Sequence, residues 1–413
     1  MLYNISIFYY NLFGDLMIEI TQLDHNGYGI GKLNNKIVFV RNALPGEIVD
    51  IKIIDEKKKY LKADVKTYIK KSNDRIDVIC PYYNSCGGCD LLHMSYNDQL
   101  KFKQNKINNI INKYLKTKIN INNIVKSDKQ FNYRNKTVFQ VKNGIGFFDN
   151  KSHDLIKTDS CLLSDKLINK SIKYLNKLDL NKIDKITLRA NNNKLMIIID
   201  TKHDIDITPI KEISNSIYIH NKSYNLVYKE PFNYQKLNEY NFLIAPDSFF
   251  QINNNVCIKM YDKIKSYIKE NTNVLDLFCG CGTIGIYTNI NNHTIGIEKV
   301  ESAIESANIN KHNNNVKNIE FICGSVDDYI SNINNIDTII IDPPRAGITS
   351  KTIENILRIR PKEIIYVSCD PMTLVRDLNH LLDAYNVVEL TPFDMFPNTK
   401  HIECVCLLKI KEK

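Results

Sequence analysis

Hydrophobic and polar positions alternate over the first organised part of the chain. From residue 17 to about 72, short runs of β-branched and aromatic residues alternate with polar ones, and turn signals such as Asn26-Gly27 separate the runs. A period of two is typical of half-buried strands, and several short strands in succession often form a small barrel. The pattern therefore predicts a small OB-like β-barrel over residues 17–75.

The pattern changes twice further along the chain. After a cysteine-rich segment, a polar helical stretch runs from Ser95 to about Lys116, and alternating strands with one helix near 164–177 follow. This mixture predicts an α+β central domain over residues 76–250. Over residues 251–413, apolar runs such as NVLDLF and DTIIID alternate with helical spacers. That alternation predicts a Rossmann-like, doubly wound α/β domain with a parallel sheet.

Composition and charge narrow the class of protein. The 413-residue chain is 43% apolar, and no segment reaches the roughly 18 consecutive apolar residues of a membrane helix. Residues 1–16 lack the basic start and the cleavage site of a targeting signal, so we interpret them as a disordered extension. Eleven cysteines without a secretory signal favour a reducing, cytoplasmic location.

The balance of charge favours a nucleic-acid partner. The chain has a net charge of +9, and residues 17–75 contain 12 basic against 8 acidic residues. Basic small barrels commonly bind single-stranded or looped RNA, although such a barrel can also serve as a spacer. We expect RNA as the partner, with no membrane association and no obligate protein partner.

A glycine-rich turn is the first motif with clear chemistry. The segment DLFCGCGTIG, residues 276–285, lies between an apolar strand and a predicted helix, where backbone N–H groups can approach a polar or anionic ligand closely. Glu298 ends the next strand, 18 residues after Gly280, and a carboxylate there can accept both hydroxyls of a ribose. The same glycines spell G-x-G-x-x-G, so a dinucleotide site is the rival interpretation. Asp276 and Phe278 beside the turn favour S-adenosylmethionine.

Two further strands end in reactive side chains. The segment IIIDPPRAG brings Asp342 to the carboxyl edge of the predicted sheet, and two prolines then fix the backbone. Methyltransferases of base amino groups also use an acidic or amide residue before two prolines, but an aromatic residue usually follows; here Arg345 follows. Cys369 ends the next strand, in IIYVSCDP. A lone cysteine is usually a core residue, yet this position favours a nucleophile.

If Cys369 adds to a substrate ring, a general base must later remove a proton from the adduct so that the thiolate can leave. Glu403, in MFPNTKHIECVCLL, begins the last predicted strand and is the candidate. The alternative is a solvated glutamate at a strand entrance.

Four other cysteines have the spacing of metal ligands. Cys80, Cys86 and Cys89 lie within ten residues, and Cys161 is far downstream. Three clustered thiols with a remote fourth are typical of an iron–sulfur site, whereas structural zinc usually uses two close pairs. Zinc is the alternative. Apart from Cys369, the remaining six cysteines are interpreted as packing residues.

Together these motifs resemble one family. The segments DLFCGCGT, FFQIN, DPPRAG, SCDPMTLVRD and MFPNTKHIE are similar to those of the RumA/TrmA-type class I SAM-dependent RNA (uracil-5-)methyltransferases, and the resemblance runs from Met17 to the C-terminus. It implies methyl transfer from S-adenosylmethionine to C5 of a uracil, with Cys369 adding to C6 and Glu403 removing the C5 proton.

The resemblance also implies the roles of further residues. Gln251, Phe278, Glu298 and Asp342 are expected around the cofactor and substrate, and Arg134 near the flipped base or its phosphates. Cys80, Cys86, Cys89 and Cys161 are expected to hold a [4Fe-4S] cluster. The barrel, as a TRAM domain, and the cysteines resemble the 23S ribosomal RNA branch, so we expect a uridine of 23S rRNA as the substrate.

Other functions are weighed against this one. The alternatives are a tRNA uracil-C5 methyltransferase and a catalytically silent iron–sulfur RNA-binding protein, although intact Cys369, Glu403 and Asp342 disfavour the silent protein. An RNA cytosine-5-methyltransferase usually has a cysteine beside the proline of the DPP-like motif, and residues 342–345 contain none. A dehydrogenase would leave the basic barrel unexplained.

Overall fold

The computed structural model describes residues 16–149, 152, 154–231 and 233–412. The predicted extension, residues 1–16, lies outside the described residues except for Leu16. The chain forms two compact units. One comprises the described residues of Met1–Lys106 together with Asn398–Lys400, and the other comprises those of Ile107–Pro397 and His401–Lys413. No helix among the described residues has the length and apolar character needed to cross a membrane.

The first unit is built on a six-stranded sheet in the order β1-β5-β6-β4-β3-β2. Neighbouring strands are antiparallel except β4 and β6, which run parallel. A Cβ at Gly31 on β3 would lie 2.7 Å from the carbonyl oxygen of Glu19 on β1. The two strands therefore approach each other as only glycine permits. The strands are β1 (Met17–Glu19), β2 (Gln22–Leu23), β3 (Gly29–Leu33), β4 (Lys36–Arg41), β5 (Ile48–Glu56) and β6 (Tyr60–Lys70).

A buried ion pair joins this sheet to the cysteine-rich segment that follows it. Glu47 is fully buried, and its carboxylate accepts hydrogen bonds from the Arg75 guanidinium at 2.5 and 2.8 Å. The same carboxylate accepts from the backbone N–H of Leu44 at 2.8 Å and of Ser72 at 3.2 Å. Because every oxygen of this buried carboxylate is satisfied, the pair fixes where the chain leaves β6.

The second unit begins within a long helix and contains a seven-stranded sheet in the order β10-β9-β8-β11-β12-β13-β14. Helix α2 covers one face of this sheet, where Ile168, Ile172 and Leu175 enter the core. The elements up to this point are α1 (Tyr96–Tyr114), β7 (Asn120–Ile121), β8 (Lys136–Val141), β9 (Ile145–Phe148), β10 (Leu155–Lys157), α2 (Lys166–Leu175), β11 (Lys185–Asn191), β12 (Lys194–Asp200), β13 (Ser216–Asn221) and β14 (Ser223–Lys229).

A hairpin and a helix lead from this sheet to the next one. Strands β15 (Asn233–Leu237) and β16 (Tyr240–Ile244) pair antiparallel. Helix α3 (Asn254–Lys265) then begins at an N-cap, Asn253, whose side chain accepts from the N–H of Val256. Short 3₁₀ turns cover Leu180–Lys182, Thr208–Ile210 and Ile330–Asn332.

The last sheet has eight strands in the order β19-β18-β17-β20-β21-β23-β22-β7. Its central strands are mostly apolar and largely buried, as expected for parallel strands between helices. Its elements are β17 (Asn273–Leu277), α4 (Thr283–Thr288), β18 (His293–Glu298), α5 (Glu301–Asn313), β19 (Ile319–Cys323), α6 (Val326–Tyr329), β20 (Thr338–Ile341), α7 (Ser350–Ile359), β21 (Glu363–Ser368), α8 (Pro371–Leu381), β22 (Tyr385–Phe393) and β23 (Glu403–Ile410).

The predicted doubly wound sheet is confirmed, but the prediction of parallel strands was wrong at one strand. Strand β23 runs antiparallel to both of its neighbours, β21 and β22. No helix separates β22 from β23, so the chain turns back and cannot make the crossover that parallel pairing requires. The edge strand β7 comes from far upstream and pairs with β22 through Asn120 and Ile121.

Candidate active site

The carboxyl ends of β17, β18, β20 and β21 open onto one cavity of about 760 Å³ in the second unit. Parallel strands of an open α/β sheet present their ligand sites at this edge. The volume is that of a site for a whole ligand rather than for a few water molecules. Six of the candidate residues line it, which are Gln251, Phe278, Glu298, Asp342, Cys369 and Glu403.

The glycine-rich turn forms one wall of the cavity. It begins with Phe278 in the left-handed region at φ 62°, and Gly280 and Gly282 follow at 53° and 76°. A Cβ at Gly282 would lie 2.6 Å from the Phe321 ring. A non-glycine residue with φ above zero costs free energy and is most often kept at functional sites, so Phe278 marks this turn independently of its motif.

Glu298 is held against the glycine-rich turn by backbone hydrogen bonds. Its carboxylate accepts from the N–H of Gly280 at 3.3 Å and from the N–H of Val300 at 3.0 Å. The side chain therefore stands beside the turn with its position fixed, as binding of a ribose diol requires.

Asp276 supports the turn from behind. It is fully buried and is not part of the cavity wall, and its Oδ2 accepts from the N–H of Gly285 at 3.0 Å. Burial, and then the charge of Asp342, raise the pKa of Asp276 to about 8. Asp276 thus holds the turn, whereas Glu298, Asp342 and Glu403 line the cavity itself.

The opposite wall brings together Asp342, Arg345, Cys369 and Glu403. Asp342 follows β20 and Cys369 follows β21, so adjacent parallel strands deliver both to the same edge. Glu403 begins β23, which lies antiparallel to β21 and pairs Cys404 with Ser368. The antiparallel strand is therefore what brings Glu403 beside the end of β21.

Charges around Cys369 oppose one another. Burial, and then the charges of Glu403 and Asp342, raise the pKa of the Cys369 thiol, and the charge and a hydrogen bond of Arg345 lower it, so that the net pKa is about 11. Burial also raises the pKa of Glu403 well above its usual range, with Asp342 adding to the effect and Arg345 opposing it. Arg345 is thus the cation that favours the thiolate, and Glu403 is a stronger base than an ordinary carboxylate.

Comparisons with known proteins bear on this chemistry. A family model described as tRNA (Uracil-5-)-methyltransferase matches residues 225–411, and a TRAM domain model matches residues 16–66. An uncharacterized RNA methyltransferase of Clostridium acetobutylicum is 33% identical over 97% of this chain and 98% of its own length. One of Caldanaerobacter subterraneus is 32% identical over 95% of this chain and 97% of its own length. This chain belongs to the RNA uracil-5-methyltransferase family.

The solved structures agree with this membership. The crystal structure of Pyrococcus abyssi tRNA (uracil-54, C5)-methyltransferase in complex with S-adenosyl-L-homocysteine superposes with a TM-score of 0.80 at 27% identity, over 95% of this chain and 100% of that one. The chain is therefore an S-adenosylmethionine-dependent RNA uracil-C5 methyltransferase, with an N-terminal TRAM β domain and a Rossmann-like catalytic α/β domain.

Arg134 is the one candidate residue for cofactor, substrate or catalysis that does not line the cavity. It forms an isolated parallel bridge with Ser164, and its N–H donates to the carbonyl of Leu163 at 2.9 Å. Its guanidinium carbon lies 6.0 Å from the centroid of the Tyr133 ring. Arg134 is not among the residues of the cavity wall, so its expected contact with RNA stays a prediction.

The cluster cysteines are not assembled as a metal site. In the part of the chain that the structure describes, no group of three or more His, Cys, Asp or Glu side chains is placed to hold a metal ion. Cys80, Cys86 and Cys89 lie half-buried in a turn-rich segment, and the N–H of Gly88 donates to the Cys86 sulfur at 3.4 Å. Hydrogen bonds to the sulfurs are a common feature of iron–sulfur sites, and the cluster itself stays a prediction.

Some residues of the cavity wall were not among the candidates predicted from the sequence. Phe249 is 72% exposed although it lines the cavity, so its ring is available to a base. Tyr261 and Thr283 share a hydrogen bond of 3.0 Å between their hydroxyls at the cavity wall. His401 lines the same space. Phe249 stands in the FFQIN motif and His401 in MFPNTKHIE, so the motifs contained a signal, but neither residue type alone identified it.

Proposed function

We propose that this methyltransferase modifies a uridine of 23S ribosomal RNA through a covalent bond between the Cys369 sulfur and C6 of the base. The observation that carries the proposal is the convergence of Asp342, Arg345, Cys369 and Glu403 on the cavity that also contains the glycine-rich turn. A thiol, a cation that favours its thiolate and a carboxylate of raised pKa are the groups that this reaction needs.

The order of steps follows from the chemistry of the base. C5 of uracil is a poor nucleophile, so the Cys369 thiolate first adds to C6 and makes C5 an enolate carbon. The bound S-adenosylmethionine supplies an electrophilic methyl group to that carbon. Glu403 as carboxylate then removes the C5 proton, and the electron pair left behind expels the Cys369 thiolate and restores the ring double bond.

Five further residues are proposed to hold the cofactor and the RNA. Glu298 accepts hydrogen bonds from the ribose hydroxyls of the cofactor, and Phe278 contacts the cofactor from the glycine-rich turn. Gln251 and Asp342 orient the cofactor methyl group and the base. Arg134 is proposed to contact the RNA outside the cavity.

We also propose that Cys80, Cys86, Cys89 and Cys161 hold a [4Fe-4S] cluster. All four are half-buried thiols outside any disulfide in the described residues. Methylation moves no electrons between cofactor and base, so the cluster would stabilise the fold or position the RNA.

Trapping with a fluorinated base tests the covalent step. RNA that contains 5-fluorouracil presents a C5 fluorine that Glu403 cannot remove, so the wild-type protein should form a complex that survives denaturation. Cys369→Ala should form none, while Cys323→Ala, at an exposed thiol on β19, should trap as wild type does. Equal trapping by Cys369→Ala would rule out this nucleophile.

A tRNA uridine is the second candidate substrate. The observation that favours it is the likeness over 95% of the chain to a Pyrococcus abyssi enzyme that acts on tRNA. Mass spectrometry of separated 23S rRNA and tRNA from a strain without this gene decides between the two. Loss of 5-methyluridine from the rRNA alone supports the first proposal, and loss from tRNA alone supports the second. Unchanged levels in both would place the methylated uridine in another RNA.

A further inference from the structure

The second unit contains another, smaller cavity, with a volume of about 180 Å³. Eight of its thirteen lining residues are asparagine or glutamine. Lys129 and Asp165 line it as well, and their opposite charges balance. A site without net charge and rich in amides suits a neutral polar ligand rather than a phosphate.

Gln235, on β15, is the lining residue with an unsatisfied buried acceptor. Its side chain is 3% exposed, and its Nε2 donates to the carbonyl of Lys236 at 2.9 Å. Its Oε1 is buried and has no hydrogen-bond partner among the described residues. A buried acceptor without a partner costs free energy, and a ligand donor removes that cost once the Gln235 amide turns toward the cavity that the residue lines.

The volume of the cavity limits what the ligand is. It equals about six water molecules at roughly 30 Å³ each, and it is smaller than the sites of about 300–1,000 Å³ that enclose whole ligands. One ring system fits, and a nucleoside or the methyl donor does not. The Tyr133 and Leu167 side chains, which also line the cavity, offer apolar surface to the faces of such a ring.

The small cavity shares a wall with the catalytic one. Asn135 lines it, and its side-chain N–H group donates to the carbonyl of Gln251 at 3.0 Å and to the Asn254 side chain at 2.8 Å. The Asn135 backbone N–H donates to the carbonyl of Ile252 at 3.0 Å. Because Gln251 and Ile252 line the catalytic cavity, a ligand against Asn135 touches the residue that holds them.

We propose that this cavity binds a second, unstacked nucleobase of the substrate RNA, one with an exocyclic amino group that donates to Gln235 Oε1. RNA is recognised mainly through splayed single-stranded bases whose edges hydrogen-bond to side chains, and amides pair well with an amino group next to a ring nitrogen. Uracil presents its single donor between two carbonyl oxygens and fits the lone acceptor less well. The site thus recognises a nucleotide near the methylated uridine. This proposal rests on the proposed function, in which RNA is the substrate.

Photo-crosslinking locates the base directly. A benzophenone side chain introduced at the exposed cavity residue Lys129 should crosslink to total RNA from a strain without the gene, at one nucleotide near the methylated uridine. The same group at Lys126, which is exposed but does not line the cavity, is the control. Equal or absent crosslinking at Lys129 would overturn the proposal and leave the cavity filled with water.

Substitution of Gln235 gives the second measurement. Gln235→Met keeps the length of the side chain and removes the acceptor, so the dissociation constant for the crosslinked RNA should rise about fivefold, the effect of one lost hydrogen bond. The affinity for S-adenosylmethionine should be unchanged. The control is Gln140→Met, on β8 and outside the lining of the cavity, which should change neither affinity. An RNA in which the crosslinked base lacks its amino group should bind wild type and Gln235→Met equally.

These outcomes separate this proposal from the assignment of the substrate. Binding and crosslinking are measured without turnover, so a chain that methylates tRNA rather than 23S rRNA still tests the cavity. Unchanged RNA affinity in Gln235→Met would overturn the second-base site whichever RNA is methylated.

Discussion

At the scale of single residues, the catalytic cavity contains groups whose charges conflict. Cys369 is needed as a thiolate, but burial and Glu403 both favour its protonated form, and Arg345 is the cation that works against them. Glu403 is needed as a carboxylate, but burial and Asp342 favour its protonated form. Because both pKa values are raised, the protonated forms of Cys369 and Glu403 are favoured in the free protein. Each group is a strong base once it has lost its proton.

The reactivity of Cys369 should therefore depend steeply on pH. Because the thiol pKa lies near 11 in the free protein, the thiolate fraction should rise about tenfold for each pH unit between pH 7 and 10. Alkylation by iodoacetamide, followed by mass spectrometry of the Cys369 peptide, measures it. Arg345→Gln removes the groups that lower the pKa and should slow alkylation at every pH in this range, whereas Glu403→Gln should speed it. Equal rates in the three proteins would contradict this electrostatic account.

Glu403→Gln should separate methyl transfer from proton removal. The variant should consume one equivalent of S-adenosylmethionine per chain and then stall as a methylated covalent complex with ordinary RNA, because the C5 proton cannot leave. Loss of a positioned base typically slows a reaction by about 10²–10⁴-fold, so the complex should be isolable. Glu320→Gln, at an exposed position on β19, is the matched control. Near wild-type turnover in Glu403→Gln would assign the base role elsewhere.

At the scale of elements, the turn between β17 and α4 depends on glycine for two separate reasons. Gly282 has a positive φ and also lacks space for a Cβ, which would meet the Phe321 ring at 2.6 Å. Gly46, in the first unit, has a similar φ of 81° but has no atom within 4 Å of the added Cβ. The two positions thus separate backbone strain from steric overlap.

Alanine at these two glycines should have unequal effects. Gly46→Ala should lose only about 1 kcal/mol of stability through backbone strain. Gly282→Ala should lose more, because Phe321 must also move, and should weaken S-adenosylmethionine binding by about tenfold or more. Thermal unfolding and titration calorimetry measure the two effects. A Gly282→Ala variant that binds the cofactor normally would show that this turn is not part of its site.

The sequence predicted elements well where burial imposes a clear pattern. The apolar runs of β17, β20 and β21 were recognisable because parallel strands are covered on both faces. Strand β7 was not recognisable, since two residues, Asn120 and Ile121, have no periodicity. The direction of β23 was mispredicted, because an apolar run gives no sign of the direction in which its strand runs.

Within the site, motif residues that end strands were predictable from their position alone. Asp342, Cys369 and Glu298 all follow or end strands whose carboxyl ends meet at one edge. The electrostatic role of Arg345 was not predictable, because its proximity to Cys369 depends on how two loops fold. The cavity around Gln235 was equally invisible, since its lining comes from segments more than one hundred residues apart.

At the scale of the whole molecule, the cysteine set is the main prediction that a composition measurement can test. Protein purified without oxygen should be brown and contain about four irons and four acid-labile sulfides per chain, as a cubane held by four cysteines would. Cys86→Ser should lower the iron content, and Cys323→Ser should leave it unchanged. Stoichiometric zinc without sulfide would contradict the iron–sulfur assignment.

The hydrogen bonds of Asn398 determine when the first unit is completed during synthesis. Asn398, which belongs to this unit, accepts at its carbonyl from the N–H of Asp90 at 3.0 Å and of Leu91 at 3.1 Å. Its own N–H donates to the Gln99 side chain at 2.8 Å, across 299 positions of sequence. The ribosome therefore releases the TRAM sheet long before it makes the residue that completes this unit. Until residue 398 has emerged, these groups of Asp90, Leu91 and Gln99 must be satisfied by water, and only then does the unit reach its final hydrogen bonding.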